Sequence, residues 1–177
     1  MNRLVSVLIL ALPLAAQAPP VNRLAPFVAS PQTVVQKMLE LARLKAGETV
    51  YDLGSGDGRV LITAAQQFGA KAVGIEISSK EVKASQDRIR TLKLENRAQV
   101  IEGDLLKADI SGADVVTIYL LTQSNDLLRP HLEKSLRPGA RIVSHDYPIR
   151  GWNPDVVEKV DAYRRVHYLF LYEVGKK

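Results

Sequence analysis

The sequence contains no cysteine, which excludes disulfides, thiol nucleophiles and thiolate metal centres together. A chain without such staples depends on its core, and 177 residues at 46% hydrophobic suit one globular domain with a good one. No internal repeat and no low-complexity segment interrupts it. Beyond the N-terminus no apolar run approaches the ~20 residues that a membrane span needs. Blocks of like charge are missing as well. Basic residues outnumber acidic ones, 24 to 19, but they are scattered, and Lys176-Lys177 is too short for a basic tail. Such a balance reads as a solvated exterior, with at most a mild attraction for acidic protein or nucleic-acid surfaces.

The N-terminus departs from the rest. Asn2-Arg3 gives a positive start, Leu4 to Ala16 is apolar, and Ala16-Gln17-Ala18 has the small-x-small form of a cleavage site. Residues 1–18 therefore read as a secretory signal peptide, implying export to a periplasmic or external space. If the segment stays uncleaved, it would instead attach the protein to a membrane. The cytoplasmic face stays open, because Arg3 is the only basic residue before Arg23 and topology is weakly marked. Residues 19–30, with prolines at 19, 20 and 26, read as an arm without a core of its own. Residues 31–177 form the domain.

Within that domain Ser30-Pro31 offers a helix start, and Val34, Val35, Met38, Leu39, Leu41 and Ala42 mark an apolar face that Gly47 should stop. Strands are expected at about 49–53, 71–76, 98–102, 113–119 and 140–145. Helices are expected near 58–68, 79–93 and 124–136, and the connection over 105–112 is too short for more than a turn. Ser78-Ser79-Lys80-Glu81 has capping-box form. Pro130 should kink or restart the last helix, and Pro138-Gly139 should end it. Val156–Val160 and Arg165–Val174 read as a terminal antiparallel pair. Alternating strands and helices followed by a hairpin imply an α/β fold, a doubly wound and mostly parallel sheet with an antiparallel edge.

Ligands of such sheets lie at the carboxyl ends of the strands, near the point where strand order reverses. There the first strand closes into Asp52-Leu53-Gly54-Ser55-Gly56-Asp57-Gly58. Glycines permit positive φ and let a ligand lie against the main chain. Glu76 follows the second strand, 20 residues beyond Gly56, where an acid meets a ribose held at the first turn. Asp104 follows the third strand, Tyr119 closes the fourth and His145-Asp146 the fifth. A dinucleotide fingerprint is G-x-G-x-x-G, whereas this loop runs G-x-G-x-G. Asp52 and Asp57 would also repel a pyrophosphate while suiting a cofactor with an ammonium and a sulfonium. The predicted cofactor is S-adenosylmethionine, held by Asp52, Gly54, Ser55, Gly56, Glu76 and Asp104, and a NAD-dependent oxidoreductase is disfavoured.

Together these motifs resemble the class I, seven-strand S-adenosylmethionine-dependent methyltransferases, from about Val34 to Val174. The glycine-rich motif matches at Asp52–Gly58, the ribose acid at Glu76 in Gly74-Ile75-Glu76-Ile77-Ser78, and the adenine-side acid at Asp104 in Glu102-Gly103-Asp104. More narrowly, Phe27-Val28-Ala29-Ser30-Pro31, Leu53–Arg59 and Gly74–Ile77 look like the small protein-lysine methyltransferases related to the mitochondrial enzyme that modifies the ATP synthase c-subunit. That resemblance implies a Rossmann-like sheet, lysine nitrogen of a protein as acceptor, and a single-domain monomer touching membrane only through its N-terminal segment.

Methyl transfer from a sulfonium needs donor and nucleophile held in line and requires no metal. The candidate catalytic residues are Tyr119, which can orient or wall an amine, and Asp146, which, or alternatively His145, can take its proton. Asn125 reads as a helix N-cap, and Trp152 as either a pocket wall or a cover for the sheet end. The chain has Tyr119-Leu120-Leu121 where many base and glutamine N-methyltransferases carry Asn/Asp-Pro-Pro-Tyr/Phe, which disfavours a nucleic-acid acceptor. A small-molecule or RNA acceptor, and a non-catalytic cofactor-binding module, are the alternatives.

Overall fold

The computed structural model, which describes Leu24 and residues 27–176, follows the alternation expected from the sequence. Strands β1 (Thr49–Leu53), β2 (Lys71–Glu76) and β3 (Ala98–Glu102) occupy the predicted spans, while β4 (Val115–Ile118) and β5 (Arg141–His145) are slightly shorter. β6 (Val156–Ala162) and β7 (Arg165–Glu173) make the terminal hairpin. Helices α1 (Gln32–Leu41), α2 (Arg59–Gln67), α3 (Ser79–Thr91) and α4 (Thr122–Ser135) lie between them. Across the sheet the order is β3-β2-β1-β4-β5-β7-β6. The first five strands are parallel, and β7 runs antiparallel to both its neighbours.

The near-continuous apolar strands are explained by cover on both faces. Successive residues point to opposite sides of a strand. Val50, Val115 and Val143 accordingly join the core under α1, α2 and α3, whereas Leu53, Val116 and Ile142 join a second core under α4. Leu128 and Leu132 of α4, one turn apart, are wholly buried in that second core, each worth ~1.5–3 kcal/mol. From β1 the chain winds outward to β3 and returns to β4 on the other side of β1. This reversal opens a crevice above the carboxyl ends of β1 and β4.

Several local expectations change. Helix α1 ends at Leu41, short of Gly47, because Arg43 takes a left-handed φ of +51° and its N–H turns back to the Glu40 carbonyl. Neither expected serine cap forms: the Ser30 hydroxyl meets His145 instead, and Ser78 makes no side-chain bond to the start of α3. Helix α4 neither restarts nor breaks at Pro130, which lies on its exposed side, where solvent can meet the carbonyl that proline leaves without a donor. The helix stops at Ser135, before Pro138-Gly139. Asn125 is not an N-cap. It is buried within α4 and donates to the Tyr147 carbonyl at 2.9 Å. The segment read as a signal peptide lies outside the described residues, and no described helix is long and apolar enough to cross a membrane.

Candidate functional site

The loop after β1 is shaped by Gly54, Gly56 and Gly58, at φ +88°, +50° and +75°. A side chain on Gly56 would overlap the ring of Phe27, which packs directly over this glycine, so the arm can lie against the loop only because none is there. Gly58 serves packing: a Cβ there would stand 2.5 Å from the Ser85 hydroxyl of α3. The N–H groups of this loop are turned inward. Gly54 and Ser55 donate to the Ile75 carbonyl at 2.8 and 3.1 Å, Gly56 to Glu76 Oε2 at 2.9 Å, and Gly58 to the Ser55 carbonyl at 2.9 Å. A dinucleotide site works by offering such donors to a pyrophosphate, and this loop has spent them. Ser55 stands in this loop beside the cleft. Its hydroxyl packs against the Gly74 backbone, buried and without a partner, so only its main chain faces a ligand.

Glu76, at the end of β2, is buried and takes the N–H of Ser78 on Oε1 and of Gly56 on Oε2, both at 2.9 Å. Each oxygen keeps acceptor capacity for a ligand hydroxyl. Asp52 is also buried, and Oδ1 accepts from the Thr117 hydroxyl at 2.7 Å. Burial pushes its carboxyl up to about 7, against the pull of the Thr117 bond and with added repulsion from Glu76 and Asp57. A cation placed beside it would relieve that cost. Asp57 was expected to contribute negative charge around the loop, but it pairs with Arg59 at 2.7 Å and Arg88 at 2.9 Å. Although burial works to raise its pKa, these arginines hold it below the usual carboxylate range. Asp104 closes a turn through the N–H of Leu106 at 3.0 Å and borders the same cleft.

Asp52, Gly54, Ser55, Gly56, Glu76, Asp104 and Tyr119 thus converge on one cleft. Leu24, Phe27, Val28 and Ala29 of the arm form its other wall, held by Arg59 on the Ser30 carbonyl at 2.5 Å and by the Ser124 hydroxyl on the Leu24 carbonyl. The sequence reading gave the arm no part in the site, although Phe27-Val28-Ala29-Ser30-Pro31 had already stood out. The donor set fits S-adenosylmethionine: a carboxylate with free lone pairs for ribose hydroxyls, a buried acid short of a cation, and the bare glycine backbone of Gly54 and Gly56 lining the cleft.

At the far end of the cleft Tyr119 stacks on His145, ring centroids 3.8 Å apart. Asp146 holds a left-handed φ of +59° and is anchored by the Tyr168 N–H on Oδ1, and by Arg165 at 2.9 Å and His167 at 3.0 Å on Oδ2. Its carboxylate lies 3.5 Å from the Tyr119 hydroxyl. Burial would raise the Asp146 pKa, but the Tyr168 N–H and the adjacent imidazoles bring it down. Burial lowers His145 to about 4, with Asp146 opposing, and raises Tyr119, with Asp146 adding to the effect. His167 was missed in the sequence, since only the antiparallel pairing of β5 with β7 brings it to this corner. Trp152 covers the sheet, edge-on to Tyr172 at 5.7 Å, and is not a cleft wall.

Comparison with known proteins agrees with this geometry. The ANTKMT methyltransferase domain family matches residues 52–156. Over 152 residues the chain is 45% identical to a protein-lysine N-methyltransferase of Saccharolobus islandicus (strain REY15A), covering 85% of this chain and 94% of that protein. It is 32% identical over 161 residues to the lysine N-methyltransferase of the ATP synthase c-subunit from Xenopus laevis, covering 89% and 68%. Among solved structures, an RNA methyltransferase from Salinibacter ruber in complex with S-adenosyl-L-homocysteine superposes with a TM-score of 0.79 at 41% identity, covering 85% and 95%. These relatives differ in the acceptor their names state.

Proposed function

Since this chain belongs to the ANTKMT methyltransferase domain family and is an S-adenosylmethionine-dependent methyltransferase, we propose that it methylates the side-chain nitrogen of lysine in a protein. The bound cofactor supplies a methyl group already activated on sulfonium, so the protein's work is positioning and exclusion of water. Glu76 takes the ribose hydroxyls on its remaining lone pairs. Asp52 takes the ammonium of the amino-acid end, and Asp104 stands at the adenine side. Tyr119 walls the acceptor end. Asp146 is 5% exposed at its side chain and already engaged by Arg165 and His167, so it orients Tyr119 rather than touching the amine.

The acceptor assignment is supported chiefly by the relatives at 45% and 32% identity whose names state a lysine acceptor. Beyond the carboxylates assigned to the cofactor, Glu81 adds negative charge at the cleft, and the arginine that borders it, Arg59, is bound to Asp57. Among the described residues such a lining offers no free cation to the phosphates of RNA. The experiment incubates the protein with methyl-labelled S-adenosylmethionine and separate protein and RNA fractions, then hydrolyses the labelled product. Methyl-lysine is expected. Label retained by RNA, or by a small molecule alone, would refute the proposal. Residues 1–18 act as an export signal and the domain works as a monomer in this reading. An intact mass that still includes residues 1–18 after expression in the native host would overturn the export part.

A further inference from the structure

We propose that His145, Asp146 and His167 form a binding site for one divalent first-row transition ion, zinc foremost, at the acceptor end of the sheet. The three donor atoms lie close together. His145 Nε2 is 2.9 Å from His167 Nδ1, His167 Nδ1 is 3.0 Å from Asp146 Oδ2, and His145 Nε2 is 3.5 Å from Asp146 Oδ2. Ligands about 2.1 Å from an ion stand about 3.0 Å apart at right angles and about 3.4 Å apart in a tetrahedron. The observed triangle spans that range, and an ion about 2.1 Å from all three atoms would sit ~1 Å out of their plane. Two imidazoles and a carboxylate on one face suit zinc or ferrous iron and leave positions open opposite. With no cysteine in the chain, no thiolate site competes.

The surroundings have the form of a metal site's supporting layer. The Ser30 hydroxyl bonds His145 Nδ1 at 2.9 Å, which leaves Nε2 to face the cluster. The Tyr168 N–H fixes Asp146 Oδ1 at 3.0 Å, so Oδ2 is the oxygen turned to the histidines. The ligand side chains are 0%, 5% and 6% exposed, and Asp146 keeps a left-handed backbone that its neighbours must hold in place. Tyr119, which lines the cleft, has its hydroxyl 3.5 Å from Asp146 Oδ2. Arg165 now supplies positive charge to Asp146 Oδ2. Its side chain is 58% exposed and free to swing outward as an ion takes its place. The inference stands whether the acceptor is lysine or not, since it uses none of the cofactor contacts.

The test uses the full protein with S-adenosylhomocysteine bound, freed of metal by chelation and titrated with Zn2+ by calorimetry and Co2+ by visible absorption. One equivalent should bind with micromolar or tighter affinity. Asp146→Asn and His167→Asn should each weaken uptake about tenfold or more, and His167→Asn should leave S-adenosylhomocysteine affinity unchanged. Arg165→Ala should tighten uptake by freeing Asp146 Oδ2. No uptake by the parent protein, or uptake that neither ligand substitution weakens, overturns the proposal. Should a variant lose S-adenosylhomocysteine as well, the parent Co2+ complex decides: the chain has three histidines, and paramagnetic shifts at His145 and His167 support the site, whereas shifts at His131 overturn it.

Discussion

Asp52→Asn should have opposite effects on stability and on cofactor binding. In the folded chain the Asp52 carboxyl is raised from 3.8 to about 7, chiefly by burial, so the native state holds its proton more tightly than the unfolded chain does. Stability contributed by this group is therefore largest below pH 4 and falls as pH rises from about 4 to 7. Above that it stays low, by ~4 kcal/mol at most for a shift of this size. Asparagine carries no charge to desolvate and still offers an oxygen to Thr117. The variant should unfold at higher denaturant concentration than the parent at pH 8, by about 1–3 kcal/mol after relaxation, and near-equally at pH 4. It should also bind S-adenosylmethionine more weakly by about 1.5–3 kcal/mol, roughly ten- to a hundredfold, having lost the partner of the ammonium. In the parent, cofactor binding below pH 7 must expel the Asp52 proton, so affinity should fall about tenfold per unit from pH 7 to 5.5. Calorimetry in buffers of different ionisation enthalpy reads that proton release. If the variant is less stable at pH 8, or cofactor affinity shows no decline below pH 7, the buried-charge account of Asp52 is wrong.

Glu76→Ala removes the acceptor of the Gly56 and Ser78 N–H groups as well as the ribose contacts. Calorimetry should show S-adenosylhomocysteine affinity falling by about 1.5–3 kcal/mol, and denaturant titration a stability loss of about 1–3 kcal/mol; unchanged affinity would place the ribose elsewhere. Gly58→Ala forces a side chain into a φ of +75° and onto Ser85, 2.5 Å away. The expected cost is about 1–3 kcal/mol of stability, read by thermal denaturation, and the double variant Gly58→Ala, Ser85→Gly should recover part of it. No recovery would mean that backbone strain, not the Ser85 contact, sets the cost.

Where sequence and structure agree, the physics is local. Strands β2 and β3 were legible to the residue because Val73 and Ile75, and Val100 and Ile101, give each a β-branched apolar centre between polar residues, with Gly69 before the first and Gly103 after the second. Helix ends were less legible. Arg43 takes the left-handed position expected of Gly47, since the Leu44 N–H closes onto the Leu39 carbonyl and Leu44 is buried. The contacts that end the helix are thus made by the fold rather than by the residue's own preference. Ser30 failed as a cap because its hydroxyl had a tertiary partner available in His145, whereas at Ser78 it is the main-chain N–H that is engaged, by Glu76 two residues before it.

The site divides along the same line, and the division explains why the cofactor was legible when the acceptor was not. Asp52, Gly56 and Glu76 lie on two consecutive strands and the turn joining the first to its helix, so their spacing in sequence is their spacing in space. The acceptor end joins β4, β5 and β7 with an arm from before the first helix, and no spacing records that Phe27 covers Gly56 or that His167 meets His145. Charge was misjudged for the same reason. Asp57 reads as free negative charge only until Arg88, 31 residues on, is folded against it. With Asp57 neutralised, the buried pair Asp52 and Glu76 carries the attraction for a cationic cofactor. Two carboxylates desolvated together without a cation are unfavourable. The cofactor-free protein is therefore the less stable form above neutral pH, and cofactor binding and folding strengthen each other there.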